Sequence, residues 1–174
     1  MFSKTVLALA SACTLLTGVV RAPDAPVAPK ATNDAITAIY TKNCTLILDP
    51  TDANLSAIFA EMTPDYVAID PKGKETKRDE VVGMMKQQLK TFHGTDCKNT
   101  FESVTSPDAN TAVVIDSQHV TGDLQAPDGK HDLDFNAKSQ DTWKLVSGSW
   151  MNTQSKALHV VIKVDGSVVQ DQGQ

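Results

Sequence analysis

An α+β fold is what this sequence predicts, with helices gathered early in the chain and a curled antiparallel sheet after them. Three observations lead there. Apolar residues recur at helical spacing between Ile36 and Phe92, and from Thr100 onward the apolar period changes to two. The late segment DTWKLVSGSWMNTQ, residues 141–154, sets a tryptophan-bearing strand on each side of a Ser-Gly turn. Amphipathic helices and strands must each bury one side, so the helices are expected to cover one face of the sheet.

The chain opens with Lys4 and an apolar run, TVLALASACTLLTGVV, whose last residue Val20 stands with Ala22 at the small-residue spacing a signal peptidase accepts. Residues 1–22 therefore read as a signal peptide cleaved after Ala22, which makes the protein secreted or periplasmic. A membrane anchor needs about 20 apolar residues, and this run is shorter and interrupted by Ser11, Thr14, Thr17 and Gly18. Lipid attachment at Cys13 is disfavoured by Ala10, where lipoprotein signals usually have Leu, and by the apolar run continuing past the cysteine. Residues 23–32, three prolines among small residues, read as an extended linker. One domain is expected over 33–158, with 159–174 as a C-terminal hairpin extension.

Asn33 or Asp34 can cap a first helix with Ile36, Ile39, Tyr40, Ile47 and Leu48 inward, stopped by Asp49-Pro50. Thr51 or Asp52 caps a second, with Leu55, Ile58, Phe59 and Met62 inward. Residues 66–69 form a short strand, and Asp70-Pro71-Lys72-Gly73 is a turn in which proline presets the first central dihedral. Thr76 with Asp79 resembles a capping box for a third helix over 77–91, its apolar side Val81, Val82, Met85, Leu89 and Phe92. Strands follow at 100–105, 111–124, 132–146 and 149–158, with a terminal hairpin at 160–169. Their turns are Ser106-Pro107-Asp108, Pro127-Asp128-Gly129, Ser147-Gly148 and Asp165-Gly166.

Losing the leader removes Lys4 and Arg21, so 16 basic residues become 14 against 21 acids and the formal charge moves from -5 to -7. Such a surface disfavours nucleic acid and, once the signal is gone, anionic membranes as partners. Cys44 and Cys97 then remain as an even pair in an exported chain, which predicts a disulfide.

The order helix, short helix, YVAIDPKGKETKRDEVVGMM, then strands ending in DTWKLVSGSWMNTQ resembles the nuclear-transport-factor-2-like superfamily, in particular its SnoaL-like and ketosteroid-isomerase-like small domains. The resemblance covers residues 33 to about 156. It implies a cone-shaped curved antiparallel sheet wrapped around three N-terminal helices, with a pocket at the wide end. It leaves the activity open, because the same cone hosts isomerases, dehydratases, cyclases and binding or dimerising domains.

Within that frame the candidate catalytic residues are Asp141 and His119. Leu133, Phe135, Ala137, Ser139, Asp141 and Trp143 alternate onto one face, and a carboxylate among mostly apolar neighbours acquires a raised pKa useful in proton transfer. His119 is the expected donor beside it, with Tyr40 as the alternative. Equally, Asp141 can serve the hairpin by accepting an indole or backbone N–H. Tyr40, Phe59, Tyr66, Met85, Phe101, Phe135 and Trp143 are the expected pocket lining, or simply core. Four dispersed histidines, His93, His119, His131 and His159, show no metal-ligand spacing, and no phosphate loop, nucleophile elbow or dinucleotide glycine pattern is present, so neither metal nor cofactor is expected. Lys72, Lys74, Lys77 and Arg78 could meet an anion, or form a solvated turn balanced by neighbouring acids. Three roles stay open: binding a small apolar molecule, isomerase, dehydratase or cyclase chemistry by an Asp/His acid-base pair, and homodimerisation through the outer sheet face.

Overall fold

The computed structural model describes residues 25–173; the expected signal peptide, with Cys13 and the Ala22 cleavage site, lies outside them. Helix α1 (Lys30–Leu48) and helix α2 (Asp52–Phe59) lead into strand β1 (Met62–Ile69) and the short β2 (Glu75–Lys77). Helix α3 (Arg78–Gln88) and a 3-10 turn (Leu89–Thr91) follow. Then come four long strands, β3 (Phe92–Asp108), β4 (Thr111–Ala126), β5 (Gly129–Val146) and β6 (Ser149–Val164), and a terminal β7 (Ser167–Gly173). Among the described residues no helix is long and apolar enough to cross a membrane.

All seven strands form one curved, mostly antiparallel sheet, six of them in the order β2-β1-β6-β5-β4-β3 and the seventh, β7, beside β6. β6 serves two neighbours on its far edge. Its first half pairs in parallel with β1, Val67 opposite Gln154, and its second half pairs antiparallel with β7, Val161 opposite Asp171. Register shifts at Lys138/Ser139 and Thr142/Trp143, and three more along β3, bend the strands around the helices.

The local chemistry explains most boundaries. Ile36, Tyr40 and Cys44 recur every fourth residue and are the buried stripe of α1. Thr51 accepts from the amide of Asn54 at 3.2 Å, capping α2. Asp70 accepts from the amides of Lys72 and Lys74, both at 2.8 Å, and Gly73 takes the left-handed φ of 86° that closes the turn.

Four expectations need correction. α1 begins at Lys30, three residues before the expected cap, because Pro29 presets a compatible φ of -52° and needs no side-chain cap. The Pro-rich stretch before it is docked: Ala28 donates to the Val104 carbonyl at 3.0 Å, Ser106 donates to Pro26 at 2.9 Å, and Ala28 is buried. Thr76 lies in β2, and α3 starts at Arg78 with no side-chain cap. β6 runs unbroken through Leu158, so residues 159–164 continue the main sheet rather than start a separate hairpin.

Two apolar clusters hold the layers together. Ile36 and Tyr40 of α1 meet Ala112, Val114 and Trp143 on the sheet; Leu55, Ile58 and Phe59 of α2 meet Leu46, Ile47, Val82, Met85 and Leu89. Phe92 closes the sheet end over Gly122, where a Cβ would stand 2.5 Å from Phe92 Cε2 and would strike the His93 carbonyl oxygen. Gly122→Ala is therefore expected to lower unfolding free energy by about 1–3 kcal/mol, because both neighbours are fixed by the strand. Urea denaturation checks this, and an unchanged midpoint would mean that β3 and β4 are farther apart here.

Candidate functional site

The inner face of the sheet, the one α1 covers, carries an acidic centre. β4 and β5 are joined by a tight turn that pairs Ala126 with Gly129, and the register runs back from it without interruption. Val114 therefore opposes Asp141, and Asp116 opposes Ser139. Directly opposed residues project to the same side, so both aspartates share the inner face with Trp143. Asp116 is 3% exposed and Asp141 6% exposed.

Hydrogen bonds tie these groups into a chain. Trp143 Nε1 lies 3.3 Å from Tyr40 Oη, and the Tyr40 hydroxyl in turn donates to Asp141 Oδ2 in a short contact. Ser139 Oγ lies 2.9 Å from Asp116 Oδ1 and 3.2 Å from Asp141 Oδ1. The Tyr40 ring is held edge-on to Phe101, with centroids 5.2 Å apart, and tilted against Trp143 at 5.7 Å. Tyr66, from β1, is buried beside Ser155.

Burial pushes both carboxylates above their ordinary range. Asp116 is raised to about 7, by desolvation first and then by the charge of Asp141, with the Ser139 hydroxyl opposing. Asp141 is raised by desolvation, against hydrogen bonds from Tyr40, Ser155 and Ser139. Tyr40 is driven well above a normal phenol by burial and by both aspartates, and Tyr66 is pushed up to about 12, mainly by burial. The donor count decides which acid is charged. Asp141 has three hydroxyl donors and Asp116 one, so the negative charge rests on Asp141 and the retained proton on Asp116. A single serine proton cannot serve two carboxylates at once. With Asp116 neutral, the chain is consistently directed: Asp116 donates to Ser139, and Ser139 and Tyr40 both donate to Asp141.

His119 is not part of this centre. It lies opposite Asn136 on the outer face, with Nε2 3.0 Å from Asp134 Oδ1, so the expected His119–Asp141 pair is not formed: the sheet stands between them. Asp116 and Ser139 take the places beside Asp141 instead. Of the expected lining residues, Tyr40, Phe59, Tyr66 and Trp143 are packed at 7% exposure or less. Met85 packs on the α2 cluster, Phe101 borders a cleft of about 340 Å³ beside Val27 and Asn33, and Phe135 is half-buried on the inner face. A cleft of about 430 Å³ lies on the outer face around Ser117 and His119. Cys44 and Cys97 are bonded, with Cα atoms 5.3 Å apart, joining α1 to β3. Among the described residues no group of three His, Cys, Asp or Glu side chains is placed to hold a metal.

Solved structures of low sequence identity superpose on this arrangement of helices and bent sheet. A nuclear-transport-factor-2-like protein from Cytophaga hutchinsonii superposes with a TM-score of 0.57 at 17% identity, covering 72% of this chain and 95% of that one. A ketosteroid isomerase-like protein from Erwinia carotovora atroseptica gives 0.55 at 17% identity, over 79% and 95%. This chain has the nuclear-transport-factor-2-like fold. A hexachlorocyclohexane dehydrochlorinase of type 2 shares that fold with a TM-score of 0.56 at 10% identity, over 83% of this chain and 89% of its own. No protein-family model matches the sequence, and no curated protein does. The nuclear-transport-factor-2-like fold thus accounts for the curved sheet and enclosed helices, while the chemistry must be argued from the residues inside it.

Proposed function

We propose that this chain is an exported protein that binds a small, mostly apolar molecule on the concave side of its sheet, with the Tyr40–Asp141 centre as the polar anchor. One observation carries this. Leu133, Phe135 and Ala137 of β5, beside Val160 and Ile162 of β6, form an apolar row on the same face as Asp116 and Asp141, and every member is left half-buried. α1 packs along β3 and α3 on β1, at the two flanks of that face. Apolar floor with a few convergent polar groups is the usual composition of a small-molecule site. Export is supported by the leader-like N-terminus and by the disulfide, which persists in oxidising compartments.

A thermal-shift series of flat apolar compounds, with and without one carbonyl or hydroxyl, tests the reading. At a hundredfold excess over Kd the midpoint should rise by about 5–10 °C, and Phe135→Asp should abolish the rise. A series that moves neither protein would reject it.

A second reading, proton-transfer catalysis, is favoured by Asp116. An acid raised to about 7 exchanges its proton near neutral pH, and Ser139 links it to the charged Asp141. On this reading Asp141→Asn fails to turn over a ketosteroid-like panel that the wild type converts. Equal turnover by both would leave binding alone.

A further inference from the structure

The outer face of the sheet carries a groove, separated by the sheet from Tyr40 and Asp141. Lys98 opposes His119 and Thr100 opposes Ser117 between β3 and β4; Ser117 opposes Lys138 between β4 and β5; Lys138 opposes His159 between β5 and β6. Four strands thus project these six side chains to one side, and they line the 430 Å³ groove together.

The composition of this wall departs from that of the chain. Acids outnumber lysines and arginines 21 to 16 overall, yet the groove is lined by two lysines, two histidines and hydroxyl, amide or small side chains, with no carboxylate. The nearby acids stand behind the bases. Glu102 holds Lys138 at 2.7 Å, Asp134 holds His119 at 3.0 Å and also lies 3.8 Å from Lys163, and Asp171 holds His159 at 2.9 Å. Each carboxylate fixes its partner's side chain without entering the wall. Lys98 has no ion-pair partner among the described residues, and neither the Thr100 nor the Ser117 hydroxyl has a hydrogen-bond partner among them.

We propose that this groove binds a small oxyanion, of phosphate or sulfate size, either free or as the ester end of a small soluble molecule. A tetrahedral oxyanion offers several acceptor oxygens, and the groove offers matching donors: the ammonium groups of Lys98 and Lys138 and the hydroxyls of Thr100 and Ser117, with the imidazoles of His119 and His159 beside them. Ammonium groups recognise such ions as point charges, so a shallow groove suffices.

The test is a titration of the full domain with inorganic phosphate at constant ionic strength, balanced with chloride, followed by the imidazole signals of His119 and His159. Saturable shifts are expected. Lys98→Gln, which breaks no ion pair, should weaken binding about tenfold while amide signals of the inner face stay in place. A parallel titration with glycerol phosphate identifies the source: tighter binding than phosphate points to an ester, weaker binding to the free ion. Shifts that chloride reproduces, or a Lys98→Gln protein that binds phosphate as tightly as the wild type, would overturn the proposal.

Discussion

Asp116→Asn is expected to be more stable than the wild type at pH 8, with the two proteins converging toward pH 4. Asp116 is raised to about 7 in the fold, chiefly by burial and by the charge on Asp141, whereas an unfolded aspartate titrates near its ordinary value. Between those two values the folded state holds a proton that the unfolded state has released. Stability therefore falls with rising pH across that window, by about 1.4 kcal/mol per pH unit for one such proton. The sign is opposite to that of a salt-bridged carboxylate, whose contribution is lost on acidification. Integrated over the shift, the penalty at pH 8 is on the order of 4 kcal/mol. Asparagine carries no charge to desolvate, and its amide N–H can take over the donation to Ser139. Denaturant titrations of both proteins at several pH values measure this directly. Parallel curves would show that Asp116 ionises normally and that the proton assigned to it lies elsewhere.

Removing the Cys44–Cys97 bond, by reduction or by replacing both cysteines with alanine, is expected to cost about 4 kcal/mol, or roughly 10 °C in a domain of this size. The bond spans 53 residues, and cutting it lets that whole loop expand in the unfolded chain. The loss should reach the acidic centre too. Cys44 sits one helical turn after Tyr40, and Asn99 of β3 donates both to the Tyr40 carbonyl at 3.3 Å and to Cys44 Sγ at 3.2 Å. Tryptophan fluorescence near Trp143 should therefore change on reduction before global unfolding. A stability change below about 1 kcal/mol would contradict the loop-entropy account.

Much of the fold was readable from local chemistry. Thr51, the Asp70–Gly73 turn and the Asp165-Gly166 turn announce themselves, because cap and turn residues act on backbone groups two or three positions away. The disulfide followed from the even cysteine pair left behind a leader-like N-terminus. What escaped depended on distant pairing. The start of β3 at Phe92 lies in a polar stretch whose strand character comes from β4 beside it, and β2 is three residues fixed only by β1. The site was legible but misread. Counting back from the tight turn at Pro127-Asp128 places Asp141 opposite Val114, and hence beside Asp116, on the face His119 does not share. Asp116 and Ser139 could have been found by that count alone; Ser155 beside Tyr66 could not, since the parallel pairing of β1 with β6 has no local signature.

The docked stretch at residues 26–28 also bears on self-association. β3 is the outermost long strand, and a strand in that position offers its free backbone groups to any passing chain. Pro26, Val27 and Ala28 occupy its 104–106 segment, and prolines on either side of Val27 and Ala28 have no N–H with which to extend the ladder. This short segment caps the exposed backbone of residues 104–106, so the boundary of the folded unit lies ahead of the first helix.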